Sequence, residues 1–395
     1  MSKFVKLSSI AELTVGFVGT MAKHYEDEGI PFLRSLNIKP FKIISDDMKY
    51  VSAEFSNSLS KSILHKGDVE IVRTGIPGTC CVVPAEYDGC NCSDVVIVHP
   101  NTELVNPHYL AAYINFWGQR QIQNNKVGAI QQHFNVHSAE EMLIFLPDIT
   151  EQEKIAKTIV ALNGKIENNF SVCVELEAMA KTLYDYWFTQ FDFPDENGKP
   201  YCSSGGEMVW NDQLKRKIPK GWSAGQLSDI ANITMGQSPS GDTYNENGSG
   251  TIFYQGCTDF GTRFPVPRVY TSAPTRFAKA GDILMSVRAP VGTLNIAMED
   301  CCIGRGLAAL NSKFGSQLHL LYTLSGFKQL FDVMDGNGTT FGSITKDTLF
   351  EMKVVIPRRD QIKSFEEMVQ PIEQKIRITE QENRELTKLR DWLLP

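Results

Sequence analysis

The sequence predicts an α+β protein: two tandem mixed α/β domains separated by two long antiparallel coiled-coil helices, with an internal pseudo-twofold repeat. Three observations lead there. Residues recur at a long period, and two stretches place apolar side chains in alternating steps of three and four. The segments before each stretch alternate short apolar strands with turns.

The repeat is read from matched residues. Gly128 pairs with Gly338, Pro147 with Pro357, Ile166 with Ile376 and Leu176 with Leu386, all 210 positions apart. Further upstream the offset is 214, matching Gly67-Asp68 to Gly281-Asp282 and Gly78-Thr79 to Gly292-Thr293. The starts agree as well, Leu7-x-x-Ile10 with Leu227-x-x-Ile230. Self-similarity at such a period means that one supersecondary unit occurs twice.

Within each copy, runs rich in β-branched and aliphatic residues between turn residues predict strands. They are Ile71–Gly75, Val95–Val98 and Leu143–Leu146 in the first, Asp282–Val287 and Met352–Ile356 in the second. Short helices are expected at Pro107–Asn115 and Gln317–Leu324. Residues 189–221, with Pro194, Asn197-Gly198, Pro200, Gly205-Gly206 and Pro219, predict a polar linker.

The first long helix is expected to carry its seam on Ile155, Ile159, Leu162, Ile166, Cys173, Leu176 and Leu183, with Asn169 in a seam position. The second runs through Phe365, Val369, Ile372, Ile376, Leu386, Leu389 and Leu393, with Thr379 and Asn383 in the seam. Steps of three and four mark a coiled-coil seam rather than a broad amphipathic face. Each helix would reach roughly 50 Å at 1.5 Å per residue. Neither buries its stripe alone, so mutual antiparallel packing is expected. Docking of each helix on its own domain is the other arrangement the pattern allows.

At 395 residues the chain has room for two or three domains. No apolar run approaches the roughly 18–20 residues of a membrane span, and Met1–Lys6 lacks the apolar core of a secretion signal. A cytoplasmic protein is expected. Nine cysteines are present without a C-x-x-C pair or a histidine at ligand spacing, which predicts reduced thiols in packed strands and no metal site. The net charge is −7, and neither copy is basic: 12 basic and 16 acidic residues over 1–149, 10 and 11 over 222–356. That argues against a simple electrostatic clamp on DNA, and any DNA reading must rest on local placement.

Catalytic motifs fail one by one. No G-x-x-x-x-G-K-[S/T] loop exists. Gly304-x-Gly306-x-x-Ala309 has the letters of a dinucleotide fingerprint, but it comes late in a domain and no acidic residue follows at the proper distance. Asp335 with Glu351-x-Lys353 has nuclease-like spacing, with Glu351 and Lys353 on one face of a predicted strand, yet the first copy has no matching lysine. The amino-methyltransferase tetrapeptide is missing too.

What remains is polar and duplicated. Gly338–Lys346 presents Thr339, Thr340, Ser343 and Lys346 on a Gly-rich loop, chemistry suited to close approach of phosphates. Its counterpart, from Gly128, presents Gln131, Gln132, His133 and Asn135, which suit base edges. Surface turns before a strand would read the same way. Arg34 and Arg73 in the first copy and Arg263, Arg288 and Arg305 in the second are candidates for guanine or phosphate contacts, with Gln255 beside them. Arg73 and Arg288 are expected at matched places just after a strand. A buried ion pair is the competing reading for Arg288 and Arg305.

These residues together resemble the specificity (S) subunit family of type I restriction-modification systems, HsdS, over nearly the whole chain. The resemblance rests on Gly236-Gln237-Ser238-Pro239, Phe253-Tyr254-Gln255-Gly256, Gly281–Gly292 and Cys302–Ala309, with Ser203–Val209 and Ile218–Trp222. It implies target recognition domains over residues 1–149 and 222–357, a central helical spacer over 150–188, the linker over 189–221 and a distal helical spacer over 358–395. It further implies a bipartite double-stranded DNA target and docking of two methyltransferase (M) subunits and, where present, restriction (R) subunits. S-adenosylmethionine, ATP and magnesium would belong to those partners, leaving this chain non-catalytic and without a cofactor. A methylation-only or other phage-defence complex, a stand-alone nuclease and a protein-interaction scaffold without a DNA role are the rival expectations.

Overall fold

The computed structural model describes residues 3–118, 121, 134–336 and 343–394. Of the candidate contacts, Gln131, Gln132, His133, Thr339 and Thr340 lie outside the described residues. The chain divides into two compact units, Met1–Ser171 with Thr379–Pro395, and Val172–Ile378.

The first unit is built on an antiparallel sheet of Ala11–Val15, Val95–Pro100, Val69–Val72 and Cys80–Val82, in that order. A second sheet places Ile30–Arg34 between Lys49–Val51, antiparallel, and Asn91–Ser93, parallel. Lys3–Lys6 pairs with Leu143–Leu146. The second unit repeats each piece. Ala231–Met235, Leu307–Ser312, Ile283–Ser286 and Leu294–Ile296 form the four-stranded sheet. Thr251–Tyr254 runs parallel to Cys301–Ile303, and Ser223–Gln226 pairs with Lys353–Ile356.

The repeat extends to single hydrogen bonds. Gly67 and Gly281 sit at φ 94° and 90° in tight turns that any side chain would strain. Gly67 N–H donates to Val83 O and Gly281 N–H to Ala297 O, at 3.0 and 2.8 Å. The Asp68 and Asp282 carboxylates accept from the backbone N–H three residues earlier, at 2.7 and 2.8 Å. The matched glycine–aspartate pairs are therefore turn-builders.

The expected strands are present, shifted by up to three residues at their ends. Pro107–Tyr113 is helical and runs into a wider turn over Ile114–Gly118, whereas the second helix, Gln317–Gly336, is longer than expected. None of the nine cysteines is in a disulfide, and Cys80, Cys81, Cys301 and Cys302 are buried in strands.

The two long helices are Ile149–Tyr184 and Arg359–Leu393. In each unit their segments pack antiparallel. In the first unit Leu394 packs with Ile159, Arg390 Nη1 donates to Asn163 Oδ1 at 3.2 Å, and Asn169 Nδ2 donates to Asn383 Oδ1 at 2.9 Å. In the second, Cys173 meets Ile376 and Tyr184 meets Phe365. Ile155, Leu162, Ile166, Leu176, Ile372 and Leu386 are half-buried, and Ile159, Val369 and Ile376 fully so. Leu389 departs from the expectation, being 44% exposed. After Leu386 the buried side continues through Arg390 and Leu394, so Leu389 and Leu393 turn outward.

The segment read as a polar linker, residues 189–221, also carries buried aromatic side chains within it and at its ends. Phe188, Phe191, Phe193 and Trp222 are buried in the second unit's core. Met208–Asn211 and Arg216–Pro219 form a hairpin. The glycines and prolines do make turns, but the aromatic side chains between them decide that the segment is covered.

Candidate nucleic-acid interface

In the second unit, four chain segments meet along a seam of backbone. Gly236, at the end of its strand, comes so near Gly304 that a Cβ on Gly236 would lie 2.1 Å from Gly304 O. A Cβ on Gly306 would lie 2.7 Å from Gln255 O. Only glycine allows such contact. Gly304 N–H donates to Tyr254 O at 2.8 Å, Gly306 N–H to Gln255 O at 3.1 Å and Gln237 N–H to Ile303 O at 3.0 Å. Arg305 N–H donates to Ser238 Oγ at 3.2 Å. Val287 N–H donates to Gly306 O at 2.9 Å, and Val287 O accepts from Ile344 N–H at 2.8 Å.

The seam brings Gln237, Gln255, Arg288, Arg305 and Ser343 to one neighbourhood with their side chains exposed. Arg288 bridges Ser343 along the backbone, and exposed Lys346 follows in the next short helix. The buried ion pair considered for Arg288 and Arg305 is therefore overturned. Gly304-Arg305-Gly306 leads into the strand Leu307–Ser312 rather than a helix, unlike a dinucleotide loop. Glu351 lies outside the strand that begins at Lys353, and Lys353 Nζ donates to Gln213 O at 3.0 Å, so the nuclease-like pair is not assembled.

Arg263 leaves the candidate set. The residue is 7% exposed, with Nη2 donating to Glu373 Oε2 at 2.6 Å and Nη1 3.4 Å from Glu177 Oε1. No local pattern announces this, because both carboxylates lie on the long helices, far along the chain.

The first unit builds the same seam from different residues. Phe17 N–H donates to Cys92 O at 2.7 Å and Arg73 N–H to Asp94 O at 3.3 Å. The matched bonds put Arg73 at the place of Val287, not of Arg288. Val72 N–H to Thr79 O mirrors Ser286 N–H to Thr293 O, and Gly78 N–H to Val72 O mirrors Gly292 N–H to Ser286 O. The counterpart of Arg288 is thus Thr74. A shift of one residue along extended chain turns the side chain to the other face. Arg73 accordingly is half-buried, its Nε donating to Phe134 O at 3.2 Å.

Asn135 is also reassigned. Its Oδ1 accepts from Ser138 N–H at 2.8 Å and caps the helix Val136–Glu140, as Thr345 caps the matched helix of the second unit. Arg34 is mostly covered, its Nη2 3.0 Å from Asp47 Oδ2 and its guanidinium over the Tyr25 ring. Burial raises the Tyr25 phenol above its ordinary pKa, against the pull of Arg34. Arg34, Tyr25, Lys39, Thr74 and Asp94 line a groove of about 620 Å³. Lys39, Thr74 and Asp94 escaped the sequence reading; their only signal was position beside the matched turns.

Among the described residues no group of three or more His, Cys, Asp or Glu side chains is placed to hold a metal ion. No helix among them is long and apolar enough to cross a membrane.

The chain is thus a duplicated α+β unit, with a matched loop seam in each copy and long helices paired within each unit. Residues 219–388 match the family described as the type I restriction modification DNA specificity domain. The protein assigned as the type I restriction enzyme MjaX specificity subunit of Methanocaldococcus jannaschii is 29% identical over 388 residues, covering 95% of this chain and 88% of that protein. The HindI specificity subunit of Haemophilus influenzae is 22% identical over 417 residues, covering 88% and 90%. The crystal structure of a type I restriction-modification S subunit from M. genitalium shares the fold, with a TM-score of 0.57 at 15% identity over 100% of this chain and 95% of that one. Residues 219–388 thus carry the type I restriction modification DNA specificity domain, and the chain as a whole is similar to the specificity subunits of type I restriction enzymes.

Proposed function

We propose that this chain reads a split double-stranded DNA target, one part with each unit, for a type I restriction-modification complex. The observation that carries the reading is the duplicated seam. One backbone scaffold presents Gln237, Gln255, Arg288 and Arg305 in one unit and Thr74 and Asp94 in the other. Two readers of different short sequences need such a pair: a constant frame that sets register, and varied side chains that meet the bases.

On this reading the long helices space the two half-sites and offer the docking surface for two methyltransferase subunits and, where present, restriction subunits. S-adenosylmethionine, ATP and magnesium chemistry then resides in those partners, in the cytoplasm, and this chain contributes no catalytic group.

The test is a domain exchange. Residues 222–356 are replaced by the same region of a relative with another target, and methylated sites are mapped across a genome. One half-site changes while the other half and the gap persist. A change in both halves, or in neither, overturns the reading.

A further inference from the structure

In this acidic chain several of the described arginines are tied to carboxylates. Arg268 pairs with Asp259 at 2.8 Å and with Glu246 at 3.3 Å, and Arg390 with Asp391 at 2.7 Å. Arg358 pairs with Asp360, Arg34 with Asp47 and Arg263 with Glu373. Exposed Arg276 holds none among the described residues, and the same is true of the pair Arg288 and Arg305 on the loop seam. Both members of that pair are exposed. They also stand side by side in the fold, since Val287 N–H donates to Gly306 O at 2.9 Å.

Their backbone is fixed. Arg305 sits between two glycines that leave no room for a Cβ: one on Gly304 would lie 2.9 Å from Gln255 Cα. Arg288 is held by its bridge to Ser343. Two guanidinium groups on a rigid seam, without internal counter-charge, make a site for an anion.

Among the described residues the seam of the first unit has no such pair. Thr74 stands for Arg288. Ser93-Asp94 spans in two residues what Gly304-Arg305-Gly306 spans in three, so Arg305 has no counterpart, and the exposed side chain there is acidic. Arg73 is turned onto Phe134 O, and Arg34 is neutralised by Asp47.

We infer that Arg288 and Arg305 clamp the DNA phosphate backbone, so that the second unit anchors the chain electrostatically while the first reads without an equivalent clamp. This rests on the DNA-reading function proposed above. An anchor of this kind is blind to sequence and sensitive to salt, because each phosphate neutralised releases condensed counterions.

The experiment measures equilibrium binding of the full chain, in complex with a type I methyltransferase subunit, to target and scrambled duplexes over a range of salt. Arg288→Ala and Arg305→Ala each weaken both duplexes by a similar factor, on the order of tenfold. Each flattens the slope of log affinity against log salt by about 0.9. Arg288→Lys and Arg305→Lys keep the slope, because the charge is what counts. Thr74→Ala and Asp94→Asn in the first unit do not flatten it. Melting curves confirm that these surface variants fold. Loss confined to the target duplex with an unchanged slope, and no rescue by lysine, assigns the arginines to base reading and overturns the inference. So does equal flattening by the first-unit variants. Failure of the unaltered complex to prefer its target over scrambled DNA would instead overturn the proposed function itself.

Discussion

Arg263 and Glu373 form a buried ion pair, Nη2 to Oε2 at 2.6 Å, that fastens a loop of the second unit's recognition fold to its long helix. Both side chains are less than one tenth exposed. Tyr322 Oη is within 3.3 Å of Arg263 Nη2, and Glu177 completes the surroundings. Such a pair contributes less through its own attraction than through the cost of leaving one member alone.

Arg263→Ala strands Glu373 in the interior. A loss of about 3–5 kcal/mol is expected for the second unit. Chemical unfolding followed by a probe in that unit measures it. A loss below about 1 kcal/mol would show that water reaches the carboxylate and that the pair is not structural.

Glu70 poses the opposite problem in the first unit. It lies in the strand Val69–Val72, fully buried between Cys81 and Ile97 on the neighbouring strands, and neither carboxylate oxygen has a hydrogen-bond partner by geometry. The second unit has Leu284 at this place. Burial above all, with Asp68 adding to it against a contact from the Cys92 thiol, pushes the Glu70 pKa from 4.5 to about 8. Glu70→Leu is expected to stabilise the first unit by about 1–3 kcal/mol.

The sign of the pH dependence follows. Between about pH 4.5 and 8 the unfolded chain has lost the Glu70 proton while the folded chain keeps it. Stability therefore falls as pH rises through that window and levels above it. Unfolding midpoints at pH 5 and 8 should differ less in Glu70→Leu than in the parent. An unchanged difference, or a destabilised variant, would refute the assignment.

How much of this could be read from the sequence depends on the distance over which the deciding contacts act. The turns at Gly67-Asp68 and Gly281-Asp282 are local, so matched letters found them. The helix seams are periodic, so Ile159, Val369 and Ile376 were legible, but Leu389 was not, because Arg390 reaches Asn163 and the Phe41 ring on another element. Arg73 was placed one residue out of register because its motif resembles that of Arg288, while its own hydrogen bonds to Asp94 and Phe134, and that of Val72 to Thr79, set its true place. Arg263 was misread for the same reason: its glutamates come from helices remote in sequence. The aromatic segment 187–193 was hidden by the turn residues that follow it.

His99 supplies a milder pH effect. Its Nδ1 lies 2.8 Å from Asp68 Oδ1, and its ring is 6.4 Å from that of His65. The hydrogen bond to Asp68 is the largest influence, raising the His99 pKa against partial burial, with Glu12 adding slightly. This stabilisation is present below the ordinary histidine pKa and fades as pH rises through the folded-state value. The second unit fills the place with Asn311, whose Nδ2 donates to Asp282 at 3.0 Å and does not titrate. His99→Asn should therefore flatten the dependence near neutrality, by at most about 1 kcal/mol because the pair is partly solvated. Unfolding free energies at pH 6 and 8 decide it, and an undiminished difference would clear His99 of the role.

The spacing of the half-sites gives the last prediction. If the paired helices set the gap, lengthening both by four residues adds about 6 Å of helix. That is close to two base pairs at 3.4 Å each. The place to insert is where the two units divide, between Ser171 and Val172 and between Ile378 and Thr379. Four residues make slightly more than one turn, so the apolar stripe returns to within about 40° of its old direction. The polar layer of Asn169 and Asn383 stays in register because both helices grow at the same level. Mapping methylated sites should then reveal the parent's two half-sites with a gap longer by about two base pairs. An unchanged gap would mean that the helices do not measure it, and loss of either half-site would mean that they do more than measure.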